Sequence, residues 1–283
     1  MNAENVKKII LASDIHLCHC DWLGVAPENR VQKFIDDLQK EYTQQPFEAL
    51  LLLGDYSLDH WKWQTKGSYI EQGISYTKIF VEKYLSQLRD LSIEIRMIAG
   101  NHEQYGEALW QTLTGHRRED IYITGDWLFI LIDTYKADLD PTEHSDGTYT
   151  GADMNFILQA LAQYPDKKVI LCSHYLEPWR DSEAFKALLR NENRIICLFG
   201  GHIHRSEIWQ MEEEYGSKCV LSIGHYANPG ISPPEKCMWG YRRLILSDSY
   251  LESCYVTPRN IYYVNNQKIT HPYGEQDYLK IQI

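Results

Sequence analysis

The stretch Ala49-Leu50-Leu51-Leu52-Leu53-Gly54-Asp55 is apolar for five residues and then stops at a glycine and a carboxylate. A strand wetted on one face alternates apolar with polar residues. A short unbroken run instead predicts a strand covered on both faces, as in a parallel sheet packed between layers. Comparable runs occupy 6–12, 93–99, 128–132, 168–172, 195–199, 218–223 and 243–246. Between them, apolar residues fall at helical spacing: Val31, Phe34, Ile35 and Leu38; Phe80, Tyr84, Leu88 and Leu91; Met154, Ile157, Leu158 and Leu161; Phe185, Leu188 and Leu189. Strand alternating with helix predicts parallel β-α-β units in an α/β domain, and the shorter connections late in the chain predict a mixed second sheet.

Polar residues gather where apolar runs end. Five runs terminate in Ser13-Asp14-Ile15-His16, Gly54-Asp55, Gly100-Asn101-His102-Glu103, Ser173-His174 and Gly200-Gly201-His202-Ile203-His204. In an open α/β sheet the loops after the carboxyl ends of the strands form the binding crevice, so distant residues converge there. Asp14 and His16, like His202 and His204, lie two apart and, in an extended segment, point to the same side. Glycines before Asp55, Asn101 and His202 permit sharp turns and close backbone approach. Carboxylate, amide and imidazole together make a mixed N/O set suited to Zn, Mn, Fe or Ni.

In this order the D-x-H, G-D, G-N-H-E, H and G-H-x-H motifs resemble those of the calcineurin-like metallophosphoesterases, from Asp14 to His204. The resemblance implies two mixed β-sheets packed as a sandwich flanked by helices. It implies two transition-metal ions, one held by Asp14, His16, Asp55 and His204, the other by Asn101, His174 and His202, with Asp55 shared. The activity implied is hydrolysis of a phosphate ester by a hydroxide bridging the ions, with Asn101 positioning its loop and His102 protonating the leaving group. Glu103 is expected to orient a ligand imidazole. The Gly100–Glu103 motif resembles the cyclic-nucleotide branch and points to a small phosphodiester. Phosphomonoester or pyrophosphate hydrolysis, and a non-catalytic metal-binding scaffold, are the rival readings. One departure from the family pattern is Leu58 where many members carry Asp or Asn.

Polar, aromatic-bearing stretches at 56–76, 135–151 and 225–241 are expected to form the rim, with Trp61, Trp63, His225 and Asn228 as substrate-facing candidates. Cys18 and Cys20, one residue apart, are poorly spaced for a relaxed disulfide and read as part of an ordinary loop.

The whole chain sets outer bounds. Its 283 residues carry a net charge of −11, which disfavours long nucleic acid as a partner and leaves a small phosphate ester in the field of bound cations. No apolar stretch reaches membrane-spanning length, and the polar start does not fit a cleavable signal. Seven scattered cysteines, several of them in strand-like runs as Cys172 and Cys197 are, point to reduced thiols and a cytoplasmic setting. Residues 1–259 are expected to form the catalytic domain and 260–283 a tail packed on it.

Overall fold

A computed structural model of the chain describes residues 6–58, 69–136, 147–227, 238–264 and 266–283. In chain order, β1 (Lys7–Ala12), α1 (Pro27–Gln44), β2 (Ala49–Leu53), α2 (Tyr69–Ile79) and β3 (Glu94–Ile98) come first. They are followed by α3 (Glu107–Thr114), β4 (Asp120–Thr124), β5 (Trp127–Ile132) and the short pair β6 (Tyr135–Lys136) and β7 (Thr148–Tyr149). Next come α4 (Met154–Gln163), β8 (Lys168–Ser173), α5 (Glu183–Asn191), β9 (Ile195–Gly200), β10 (Ile208–Gln210), α6 (Glu212–Tyr215) and β11 (Cys219–Ser222). The chain closes with β12 (Tyr241–Leu246), β13 (Tyr250–Thr257), β14 (Asn260–Val264), β15 (Gln267–His271) and β16 (Gly274–Gln282).

The strands build two six-stranded mixed sheets, ordered β16-β13-β12-β1-β2-β3 and β10-β11-β9-β8-β5-β4. Within the first, β1, β2 and β3 are parallel; within the second, β5, β8, β9 and β11 are. The unbroken leucine run is explained by alternation. Ala49, Leu51 and Leu53 face Phe129, Leu131, Cys172 and Phe199 in the layer between the sheets, while Leu50 and Leu52 face Phe34, Ile35 and Leu38 of α1. On the far side, Leu128, Ile130 and Leu171 of sheet two pack against Ile157 and Leu161 of α4 and Phe185 of α5. The sandwich of two mixed sheets flanked by helices is the architecture expected from the sequence.

Differences are local. The helix expected over Phe80, Tyr84 and Leu88 is a π-helical turn, Phe80–Tyr84, followed by a 3-10 turn, Leu85–Leu88; all three apolar residues are still buried. The segment from Asn260 forms the β14–β15 hairpin, and then β16 pairs antiparallel with β13 as the edge of sheet one. Among the described residues no helix is long and apolar enough to cross a membrane.

Candidate metal centre

Parallel β1, β2, β3, β8 and β9 all point their carboxyl ends to one edge of the sandwich, and the motif residues follow directly on these ends. The backbone there is unusual. Asp14, His16, Asp55, His202 and His204 all have positive φ, between 47° and 69°. Non-glycine residues seldom adopt this left-handed region, and a cluster of them marks a site where conformation is over-determined by its surroundings. The expectation that Asp14 and His16, and His202 and His204, cooperate through extended backbone is therefore corrected: each pair converges through left-handed turns after the strand has ended.

Glycines make the crowding possible. A Cβ on Gly100 would fall 2.1 Å from Asp55 Oδ1, and one on Gly201 would fall 2.6 Å from Asp14 Oδ2. Any larger residue at either position would displace a carboxylate.

Asp14 and Asp55 each have one oxygen tied to the backbone and one turned to imidazoles. Asp55 Oδ1 accepts the His102 N–H at 3.1 Å, and Asp14 Oδ2 accepts the His202 N–H at 2.9 Å and the Ser13 hydroxyl. The other oxygens, Asp14 Oδ1 and Asp55 Oδ2, are buried with no hydrogen bond of normal geometry. Around Asp14 Oδ1 stand His204 Nε2 at 3.2 Å and His16 Nε2 at 3.5 Å, themselves 3.1 Å apart. Around Asp55 Oδ2 stand His174 Nε2 at 3.1 Å, His16 Nε2 at 3.5 Å and His102 Nε2 at 3.7 Å. Asn101 Oδ1 lies 2.8 Å from His174 Nε2 and 2.9 Å from His202 Nδ1. Two buried carboxylate oxygens without hydrogen bonds, facing converging imidazoles, fit metal ions. Asp14, His16 and His204 form one such group and Asp55, His174 and His202 another, with His16, Asp55 and His102 between them.

The electrostatics are those of a strongly coupled cluster. Burial works to raise both carboxyls, but His204 beside Asp14, and His174 and His102 beside Asp55, outweigh it and hold both well below the usual range. Burial lowers His174, yet the charge of Asp55 beside it carries it up to about 10. Burial and the neighbouring His174 push His202 down to about 4. At neutral pH His174 is thus cationic in the metal-free cluster while His202 is neutral.

Glu103 differs from its expected role. Its carboxylate accepts backbone N–H groups from Asp55, Tyr56 and Gly100, each at 2.8 Å, rather than orienting an imidazole. Arg118 extends this support, donating to the carbonyls of Glu103 at 2.7 Å and Tyr105 at 2.8 Å and pairing with Asp133 at 2.6 Å. Arg30 does the same beneath the first motif. Its fully buried guanidinium lies 4.5 Å over the Trp22 ring and donates to the carbonyls of Ile15, His16 and Tyr226.

Much of the expected rim lies outside the described residues. Trp61, Trp63 and Asn228 lie outside the described residues. His225 is fully buried, its ring stacked on His204 at 5.2 Å with 6° between the planes, so it backs a candidate ligand instead of facing solvent. Trp239, Tyr135 and Tyr149 are buried as well. Leu58 packs with Cys18, Trp22 and Ala227, which accounts for an apolar residue at that position. Cys18 and Cys20 form no disulfide among the described residues.

Comparison with curated proteins finds no match. Among solved structures, the chain is similar to a purple acid phosphatase from yellow lupin (Lupinus luteus) seeds, with a TM-score of 0.55 and 14% identity over 99% of this chain. It spans only 54% of that protein. A structure of PhoD aligns over 100% of this chain and 70% of its own, with a TM-score of 0.61 and 10% identity. Identities this low speak for the fold alone. The family model for calcineurin-like phosphoesterases matches residues 7–206 and takes in all five motifs, so the chain belongs to the calcineurin-like phosphoesterase family.

Proposed function

We propose that the protein hydrolyses small phosphate esters at a binuclear centre, and that its preferred substrate is a phosphodiester of cyclic-nucleotide-like size. The observation that carries this reading is the shared carboxylate. Asp55 Oδ2 lies 3.1 Å from His174 on one side and 3.5 Å from His16 on the other, so a single oxygen faces both candidate coordination spheres.

In this reading Asp14, His16, Asp55 and His204 hold one ion and Asn101, His174, His202 and Asp55 the other; Mn, Fe, Zn and Ni all suit the donor set. Two ions held there would supply the positive charge that offsets the phosphate and the activation of water as nucleophile. The chain's own residues do the rest. Glu103 and Arg118 fix the backbone from which Asp55 and Asn101 project, which preserves alignment of the reacting atoms. His102 is buried beside the shared carboxylate, its backbone N–H on Asp55 Oδ1 and its Nε2 3.7 Å from Asp55 Oδ2, and in this reading it gives a proton to the departing alkoxide. Acidic balance argues against a long polyanion, with a net charge of −11. Cys172 and Cys197, buried in β8 and β9, are in keeping with a reducing, cytoplasmic setting.

The test is a panel of bis-nitrophenyl phosphate, nitrophenyl phosphate, cyclic nucleotides and single-stranded DNA under matched Mn and Ni loading, compared by kcat/KM. Diesters are expected to lead the monoester by about tenfold, roughly 1.4 kcal/mol of transition-state stabilisation. A monoester lead of that size would remove the diester assignment. No turnover of any ester would favour the non-catalytic scaffold.

A further inference from the structure

On the outer flank of sheet two, beside the loop that carries His202, lies a cavity of about 280 Å³. Tyr175, Trp179, Trp209 and Met211 supply its apolar wall, and Arg205 and Glu207 its polar edge. Trp179 is 66% exposed, more than any other large apolar side chain among the described residues. An indole held open to water beside two further aromatic rings is a surface suited to stacking.

Two observations tie this cavity to the metal centre. The Tyr175 ring lies 4.4 Å from the ring of His202, between the cavity and the candidate ligand, and Gly201 forms part of the cavity wall. The loop bearing Tyr175 and Trp179 is also anchored. The Asp181 carboxylate accepts the Tyr149 hydroxyl at 2.5 Å and the Tyr215 hydroxyl, while the Glu177 N–H donates to the Tyr149 hydroxyl at 3.1 Å. A wall fixed in advance lowers the ordering cost of binding.

The polar edge defines the occupant. Arg205 pairs with Glu207 at 2.8 Å, so the edge presents N–H donors and carboxylate acceptors together with no net charge. A second phosphate would meet the Glu207 carboxylate, whereas a neutral ring carrying donors and acceptors would be matched on both. The volume accommodates one ring system and is just below the range of clefts that enclose larger ligands.

We propose that this cavity is a subsite for a planar, uncharged heteroaromatic group carried on one ester arm of the substrate, with the phosphate at the metal centre. The assignment to substrate rests on the phosphoesterase reading above. It places a stacking surface on the loops after β8 and β9, outside the three stretches singled out in the sequence.

Adenosine, which has the ring and no phosphate, is the probe, with ribose as control. Calorimetric titration of the metal-loaded protein should show adenosine binding and no ribose binding, and adenosine should compete with bis-nitrophenyl phosphate. Trp179→Ala, at an exposed position where folding is not at stake, should weaken adenosine by about tenfold or more, the scale of one lost stacking contact. Inhibition by inorganic phosphate should stay unchanged. Trp209→Ala, checked for native circular dichroism, should weaken adenosine in the same direction from the opposite wall. Adenosine that fails to bind a protein that turns over esters overturns the subsite and leaves the phosphoesterase reading intact. Adenosine that binds equally well to Trp179→Ala and Trp209→Ala also overturns it. Tryptophan-dependent binding by a protein that hydrolyses no ester upholds the ring subsite and removes the phosphoesterase reading.

Discussion

The carboxylate of Glu103 accepts the backbone N–H of Asp55 at 2.8 Å, while the Asp55 side chain turns away from it toward His174 and His16. The acid of one motif thus holds the main chain of another at a positive φ of 60°. Glu103→Gln would keep one acceptor oxygen and turn an NH2 group toward the clustered N–H donors. At pH 8, where Glu103 is ionised, the metal-free variant should lose about 2–4 kcal/mol in urea denaturation, the scale of two charge-assisted hydrogen bonds. Burial and the charge of Asp55 raise Glu103 from 4.5 to about 7. The folded state therefore retains this proton longer than the unfolded chain, and its contribution to stability falls as pH rises from 4.5 to about 7. That component of the pH slope should be absent from Glu103→Gln; an identical slope in both proteins would contradict this role.

Asp55 and His102 should fail in different ways. Asp55→Ala removes the oxygen facing both candidate spheres and should abolish turnover together with paired metal binding. His102→Ala should retain both ions and lose about 10²–10⁴-fold in kcat, the usual scale of general acid catalysis. A nitrophenolate leaving group needs little protonation, so it should recover part of that rate. Metal analysis of the two variants separates the roles, and equal metal loss in both would make His102 a ligand.

Metal uptake should depend on pH through His174. Its imidazole is held protonated up to about 10 in the metal-free chain, whereas His202 is already neutral above about 4. An ion binds the neutral ring, so loading displaces a proton from His174 and apparent affinity rises with pH across the neutral range. Calorimetric titration with Mn at pH 6, 7 and 8 in buffers of different ionisation enthalpy would measure this proton. Affinity independent of pH, with no proton released, would contradict the assignment.

The motif residues were legible because each ends an apolar strand, and the leucine run of β2 already implied a sheet covered on both faces. What joins them was less so. Arg30 reads in the sequence as an ordinary charge early in an amphipathic helix, yet it is fully buried and bound to the carbonyls of Ile15, His16 and Tyr226. Only the pattern of the folded backbone reveals acceptors so far apart in sequence. The same holds for His225, whose position after a run suggested exposure but whose ring backs His204. Trp179 and Trp209 carried no motif, and the sheet-two flank that gathers them is a product of topology. β16 was obscured for another reason: its burial alternates only weakly, as befits an edge strand.

In the proposed function, the single carboxylate of Asp55 organises two ions for ester hydrolysis. Stepwise addition of Mn to metal-free protein, with the rate of bis-nitrophenyl phosphate hydrolysis followed against ions bound per chain, tests it most directly. The rate should stay low through the first equivalent and saturate at two ions per chain. Saturation at a single ion, or two bound ions with no hydrolysis, would contradict it.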